Sequence, residues 1–216
     1  DRVILTDTAM NYRVLNIPQF SGAAPSYHHK TIGGYHAAKL TRYQDLIDRQ
    51  LMKNNPEVLN MLNTRYVITN DNAAPELNPD AMGNAWFVDA VGYVDGPDAE
   101  MAALDSLPVA VRAVADRKFE PVLGQSKPKT PGDTIFETTY APDRLTYHAK
   151  TANGGVAVFS EIYFPWGWNV TIDGKPAELG RVNYVLRALA VPAGTHTIEM
   201  VFDPKSLHTT TGIAYV

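Results

Sequence analysis

Val185-Leu186-Arg187-Ala188-Leu189-Ala190-Val191, a break at Pro192-Ala193-Gly194, then Thr195-His196-Thr197-Ile198-Glu199-Met200-Val201-Phe202: on this stretch the reading of the fold turns. Both runs are short, apolar and rich in strand-forming residues, and turn chemistry separates them. The spacing predicts two strands joined as a hairpin. Upstream, Trp168-Asn169-Val170-Thr171-Ile172 leads into Asp173-Gly174, a two-residue hairpin signal. Residues 135–140, 144–149 and 156–160 add three more β-rich runs, punctuated by Gly, Pro, Asn and Asp. Strands at such regular spacing predict an antiparallel β-sandwich over residues 134–216.

The pattern changes upstream of Gln125-Ser126-Lys127-Pro128-Lys129-Thr130-Pro131-Gly132-Asp133, the most linker-like segment of the chain. Residues 1–124 therefore read as a mixed α/β subdomain, and the whole chain as α+β. Residues 12–17 suit a strand halted by Pro18. Leu40, Tyr43, Ile47 and Leu51 form one apolar stripe, which predicts a helix from about Tyr35 to Lys53. Asn54-Asn55-Pro56 ends it, and Pro56 can open a second short helix that buries Val58, Leu59 and Leu62. Residues 66–69 read as a core strand and residues 85–94 as one continuous strand. A helix follows over residues 99–107, with Asp98 as its N-cap, and then a strand over residues 109–115.

Composition excludes several function classes. At 216 residues, with 45% apolar and 10% aromatic side chains, the chain has material for one or two packed domains. Nineteen basic against 23 acidic residues leave a net charge of −4, the wrong sign for a nucleic-acid surface. There is no cysteine, so disulfides, thiolate catalysis and cysteine-bound zinc are excluded. No P-loop, nucleophile elbow or dinucleotide fingerprint is present, and no cofactor is expected. His28-His29 with His36 is the one histidine cluster, and its spacing matches no metal motif. No catalytic residue and no metal ligand is expected. Three triplets, Asp7-Thr8-Ala9, Asp105-Ser106-Leu107 and Asp133-Thr134-Ile135, fit an Asp-Ser/Thr-apolar O-glycan acceptor pattern short enough to arise by chance.

Tyr163-Phe164-Pro165-Trp166-Gly167-Trp168 concentrates aromatic side chains at a strand end. It can serve as a stacking platform, or one tryptophan can plug the core while the other stays partly exposed. Both termini look cut: the chain opens on Asp1-Arg2-Val3 without a signal sequence and closes on Gly212-Ile213-Ala214-Tyr215-Val216 as it turns apolar. An excised piece of a longer protein is expected.

Several blocks together carry a resemblance. They are residues 26–47, from Ser26-Tyr27-His28-His29 through Gly33-Gly34-Tyr35-His36 to Arg42-Tyr43; Leu62-Asn63-Thr64-Arg65-Tyr66; and residues 78–88, ending in Ala85-Trp86-Phe87-Val88. The remainder are residues 159–168, Ile172-Asp173-Gly174-Lys175, residues 181–188 and residues 191–199. Spread over most of the chain, they resemble the soluble portion of the YfhO family of polytopic bacterial membrane proteins. That resemblance implies kinship with C-class glycosyltransferases, which take sugar from a polyprenyl-phosphate donor outside the cytoplasmic membrane. It implies a periplasmic or extracytoplasmic location and, as partners, the parent chain's transmembrane helices and a cell-envelope glycan or polyprenyl-linked sugar. The family's catalytic acid belongs to a loop between early spans, so no catalytic residue is carried over. The expectation is a non-catalytic module for glycan or acceptor recognition. Its candidate contacts are Trp166, Trp168, Tyr163, Tyr35, His36 and Arg42, with aromatic faces for sugar rings and Arg or His for hydroxyls and phosphate. The alternatives are a structural or protein-docking domain that caps the membrane portion, and a free-standing glycoside hydrolase, which needs two facing carboxylates.

Overall fold

The computed structural model describes residues 2–9 and 11–204. The first part of the chain forms α1 (Arg2–Thr6), β1 (Arg13–Asn16), α2 (Thr41–Arg49), α3 (Pro56–Met61), β2 (Thr64–Ile68) and β3 (Glu76–Leu77). It continues with β4 (Ala85–Val88), β5 (Ala90–Val94), α4 (Pro97–Ala103), β6 (Arg112–Asp116) and α5 (Glu120–Leu123). Strands then take over: β7 (Thr134–Ala141), β8 (Arg144–Thr151), β9 (Gly155–Ile162), β10 (Trp168–Ile172), β11 (Lys175–Ala177), β12 (Gly180–Val182), β13 (Leu186–Val191) and β14 (Gly194–Phe202). The chain is α+β. No helix among the described residues is long and apolar enough to cross a membrane.

Two antiparallel sheets organise the rest, one in the order β11-β10-β14-β8-β7 and the other β12-β13-β9-β4. The smaller sheet takes β4 from the first half: Ala85, Trp86, Phe87 and Val88 pair with Phe159, Val158, Ala157 and Val156. Strand periodicity then sorts its side chains. Phe87, Ala157, Phe159, Leu189 and Val191 pack with Leu145, Tyr147, Val170, Ile198 and Met200 of the larger sheet. Their neighbours Trp86, Val88, Val156, Val158, Leu186 and Ala188 pack instead with Leu46, Ile47, Met101, Leu104 and Leu123 from the helices. Covered on both faces, β4 is buried at every position. Tyr147 and its neighbours in β8 alternate buried and outward instead, since that sheet has one wet face.

Several local expectations are corrected. The strands flanking Pro192-Ala193 do not pair with each other. β13 lies between β9 and β12, and β14 between β10 and β8, so Pro192-Ala193 carries the chain from one sheet to the other. With both edges of β13 already taken, no edge was left for a hairpin partner. The Asp173-Gly174 hairpin does form, joining β10 to β11 with φ of 50° and 76°. Residues 85–94 divide at Asp89, where β4 leaves for β9 while β5 pairs in parallel with β6. Asp89 anchors the division: its N–H donates to Val111 O at 2.8 Å and its carboxylate accepts from Lys129 N at 2.8 Å. The strand expected over residues 109–115 starts later, at Arg112, because Val111 and Arg112 N–H close a turn onto Pro108 O.

The first long helix begins at Thr41, not Tyr35. Leu40 is extended (ψ 129°) and 39% exposed, so it drops out of the stripe, whereas Ile47 and Leu51 are buried as expected, together with Leu46. Upstream, the His36 Nδ1 accepts from Ala38 N at 3.1 Å, a local turn that competes with helix. The N-cap of α4 is Gly96, with Pro97 in the first helical position; Asp98 sits in the first turn and pairs with Arg49 at 2.8 Å. Residues 125–133 lie tied along β4: Ser126 Oγ donates to Val88 O at 3.0 Å, beside the Lys129–Asp89 contact.

Candidate functional site

Arg42 stands in the first turn of α2, and the chain from Tyr163 to Trp166 links β9 to β10. These segments, more than 120 positions apart in sequence, meet at a cavity of about 480 Å3. Arg42, Lys118, Arg181, Tyr163, Trp166 and Tyr184 give its walls their chemistry, and Leu40, Phe119 and Phe164 fill in between. Trp166 is 69% exposed, braced edge-on against Phe164 with ring centroids 5.2 Å apart. Tyr163 meets Phe119 in the same manner at 5.7 Å. Burial pushes the Tyr163 hydroxyl up, with the Arg181 charge opposing, so it stays a neutral donor at physiological pH. Gly167 lets the loop close tightly: a Cβ there would lie 2.7 Å from Phe202 Cε2, at φ 85°.

Beneath the cavity sits a buried ionic group. Glu100 is fully buried; its Oε2 accepts from Arg181 Nη2 at 2.9 Å and lies 3.6 Å from Arg42 Nη1. Its Oε1 accepts from the Tyr184 N–H at 3.1 Å. Arg42 stacks over the Tyr184 ring at 4.3 Å, and Arg181 over Phe119 at 5.1 Å. Asn183 and Tyr184 both take left-handed backbone, φ 49° and 70°, in the turn between β12 and β13. For a tyrosine this costs on the order of 1 kcal/mol. The surroundings hold it there: Asn183 N donates to Val114 O at 2.7 Å, Val114 N to Asn183 Oδ1 at 3.0 Å, and Tyr184 OH to Asp45 at 2.9 Å. The turn is strained and fixed from three sides, as backbone outliers at functional sites tend to be.

The six candidate contacts divide. Tyr163, Trp166 and Arg42 share the cavity just described. Trp168 does not reach it; it packs at the end of the core between the two large sheets, under Arg187 at 3.9 Å and against Phe202 at 5.2 Å. Tyr35 and His36 are exposed and line a separate, mainly apolar cavity of about 750 Å3. Arg181, Tyr184, Lys118 and Phe119 were missed by reading the sequence, and so was Glu100, which lies on a helix remote from all of them. The only signal was an arginine set among valines in Arg181-Val182-Asn183-Tyr184-Val185. Among the described residues no three His, Asp or Glu side chains gather as metal ligands. In the three acceptor-like triplets the carboxylates are engaged: Asp7 with Arg65, Asp105 with Gln50 and Asp133 with Thr130.

A second titratable group was also invisible in the sequence. Glu137 follows Ile135 on the inward face of β7, opposite the buried Tyr147, and is left 8% exposed just before the strand's register shifts. Asn11 Nδ2 donates to both Glu137 Oε1 (3.3 Å) and Glu161 Oε1 (3.0 Å), so two carboxylates face one amide. Asn84 Nδ2 donates to Glu137 Oε2 at 3.0 Å, Arg13 lies 3.8 Å from Glu161, and Lys30 sits over the Tyr140 ring at 3.1 Å. Burial pushes the Glu137 carboxyl up to about 7, against the pull of the Tyr147 hydroxyl. Lys30, drawn away from water, is pushed down to about 8. Asn11 bridges the two carboxylates and so ties the N-terminal segment to the sheets.

Its pH behaviour is predictable. The folded chain holds the Glu137 proton beyond the ordinary value of 4.5, so its contribution to stability is complete below that pH. It is lost as pH rises through about 7. Replacing Glu137 with glutamine is expected to leave thermal stability nearly unchanged at pH 5. At pH 8 it should raise stability by on the order of 2 kcal/mol. Melting curves of both proteins at the two pH values check this; an equal effect at both would mean that Glu137 is ionised throughout. No protein-family model matches this chain, and comparison with curated proteins yields no match either.

Proposed function

We propose that this chain is a non-catalytic recognition module of a membrane-anchored, glycosyltransferase-like protein. In this reading it holds a cell-envelope glycan, or the acceptor that receives one, on the extracytoplasmic face of the cytoplasmic membrane. The two facing sheets act as a β-sandwich whose β9–β10 loop presents the binding surface, and the parent's transmembrane helices are its covalent neighbours. One observation carries the proposal. Tyr163, Trp166 and Arg42, three of the six candidate contacts, converge on one cavity whose tryptophan is 69% exposed. An aromatic face open to water at a cavity wall is available for stacking. The resemblance to the YfhO family supports the location and the partner class.

Titration calorimetry of the chain against envelope polysaccharides and polyprenyl phosphates tests the proposal. Trp166→Ala is expected to weaken binding about ten-fold, the scale of one lost stacking contact. Its melting temperature should stay within about 2 °C of the parent's, since surface substitutions change little. Binding unaffected by Trp166→Ala, or no heat with any of these ligands, counts against the reading.

A second reading, docking onto the parent's membrane portion, has one observation in its favour. The 750 Å3 cavity is walled by Leu15, Ile17, Phe20, Ile47, Leu51 and Met52, and Ile17 and Met52 stay exposed. Cross-linking at Met52 to the parent's helices, with no sugar bound anywhere, would select it.

A further inference from the structure

Charge is unevenly spread around the Trp166 cavity. The chain carries a net −4, yet the charged side chains on this wall are Arg42, Lys118 and Arg181, with no carboxylate among them. Two carboxylates oppose these cations from behind. Glu100 contacts both guanidiniums, and Asp116 lies 3.7 Å from Lys118 Nζ. Glu100 can neutralise only one of its two arginines, and its oxygens are already taken by Arg181, Arg42 and the Tyr184 N–H. By ion pairs alone, three cations of the wall meet two carboxylates, which leaves one positive charge over. Arg181 is 5% exposed and stacked, so it forms the floor. Arg42, with its side chain 32% exposed, presents the surplus charge to whatever enters. Asp45, three residues along α2 from Arg42, accepts from the Tyr184 hydroxyl at 2.9 Å.

We infer that the Trp166 cavity selects an anionic sugar, one carrying a carboxylate or phosphate that reaches Arg42 while its ring stacks on Trp166. This rests on the glycan-recognition reading and sharpens it. The surplus is one charge, which fits a single anionic group per bound ring and not a polyanion. Guanidinium is suited to either oxyanion, because both accept two parallel N–H bonds. A neutral sugar can offer that guanidinium its hydroxyls but no countercharge, and charge-assisted bonds are the stronger.

NMR titration of the whole chain, following the Trp166 indole N–H, tests this at millimolar ligand. Galactose is compared with galacturonate, and glucose with glucose 1-phosphate; inorganic phosphate and phosphatidylglycerol vesicles complete the set. Each anionic sugar is expected to bind about ten-fold more tightly than its neutral partner. The preference should shrink as salt rises. Arg42→Gln should collapse the ratio toward one; Lys118→Gln, farther out on an exposed side chain, should lower it less. Equal affinity for neutral and anionic partners overturns the inference and leaves glycan recognition standing. Binding of none of the sugars sinks both. Inorganic phosphate binding as tightly as glucose 1-phosphate, or vesicle binding without any sugar response, overturns the inference by showing a bare anion or headgroup site.

Discussion

Replacing Glu100 with alanine is expected to destabilise the folded chain by about 3–5 kcal/mol, the cost of stranding a buried charge. Arg181 is the group stranded: its side chain is 6% exposed, and Glu100 at 2.9 Å is its one ion-pair partner among the described residues. Arg42 would add little, being about one-third exposed and able to turn to water. The loss also frees the Tyr184 N–H, one of the restraints on a left-handed tyrosine. Urea denaturation gives the magnitude. The double variant Glu100→Leu/Arg181→Leu should lose distinctly less than Glu100→Ala alone, because it removes both charges together. A single-variant loss below about 1 kcal/mol would mean that water reaches the group and that the floor of the cavity is soft.

The same group shows where sequence reading stops. What local chemistry dictates was legible: the Asp173-Gly174 hairpin needs two positive φ values, and those residues tolerate them. The one-sided burial of β8 was legible from its alternation. The pairing of β4 with β9 was not, since hydrogen bonds between residues 70 positions apart leave no trace in either segment. Nor could the exchange of sheets at Pro192 be read, because an apolar run looks alike whether it turns back or crosses over. At the site, the aromatic loop declared itself by composition alone. Which tryptophan faced water did not, since that depends on Phe202 and Arg187 closing over Trp168. Glu137 belongs to the same class. Alternation with Ile135 puts it on the inward face, but a lone glutamate in a strand does not announce that Asn11 and Asn84, from distant segments, will be there to receive it.

Residues 134–216 expressed alone are expected not to fold, although their strands look like a complete β domain. Deleting the first half removes β4, so Val156 to Phe159 of β9 lose their hydrogen-bonded neighbour and become a bare edge. It also uncovers one whole face of the smaller sheet: Val156, Val158, Val182, Val185 and Leu186 would pass from full burial into water. At roughly 1.5–3 kcal/mol each, these side chains amount to on the order of 10 kcal/mol. That matches the entire stability of a typical domain, about 5–15 kcal/mol. The fragment should therefore give a poorly dispersed amide spectrum and no cooperative melt, whereas the full chain melts in one transition. A dispersed spectrum with a sharp melt would show that the larger sheet and its Tyr147–Phe159 core suffice by themselves. The helical half would then be an addition to the fold and not its third layer.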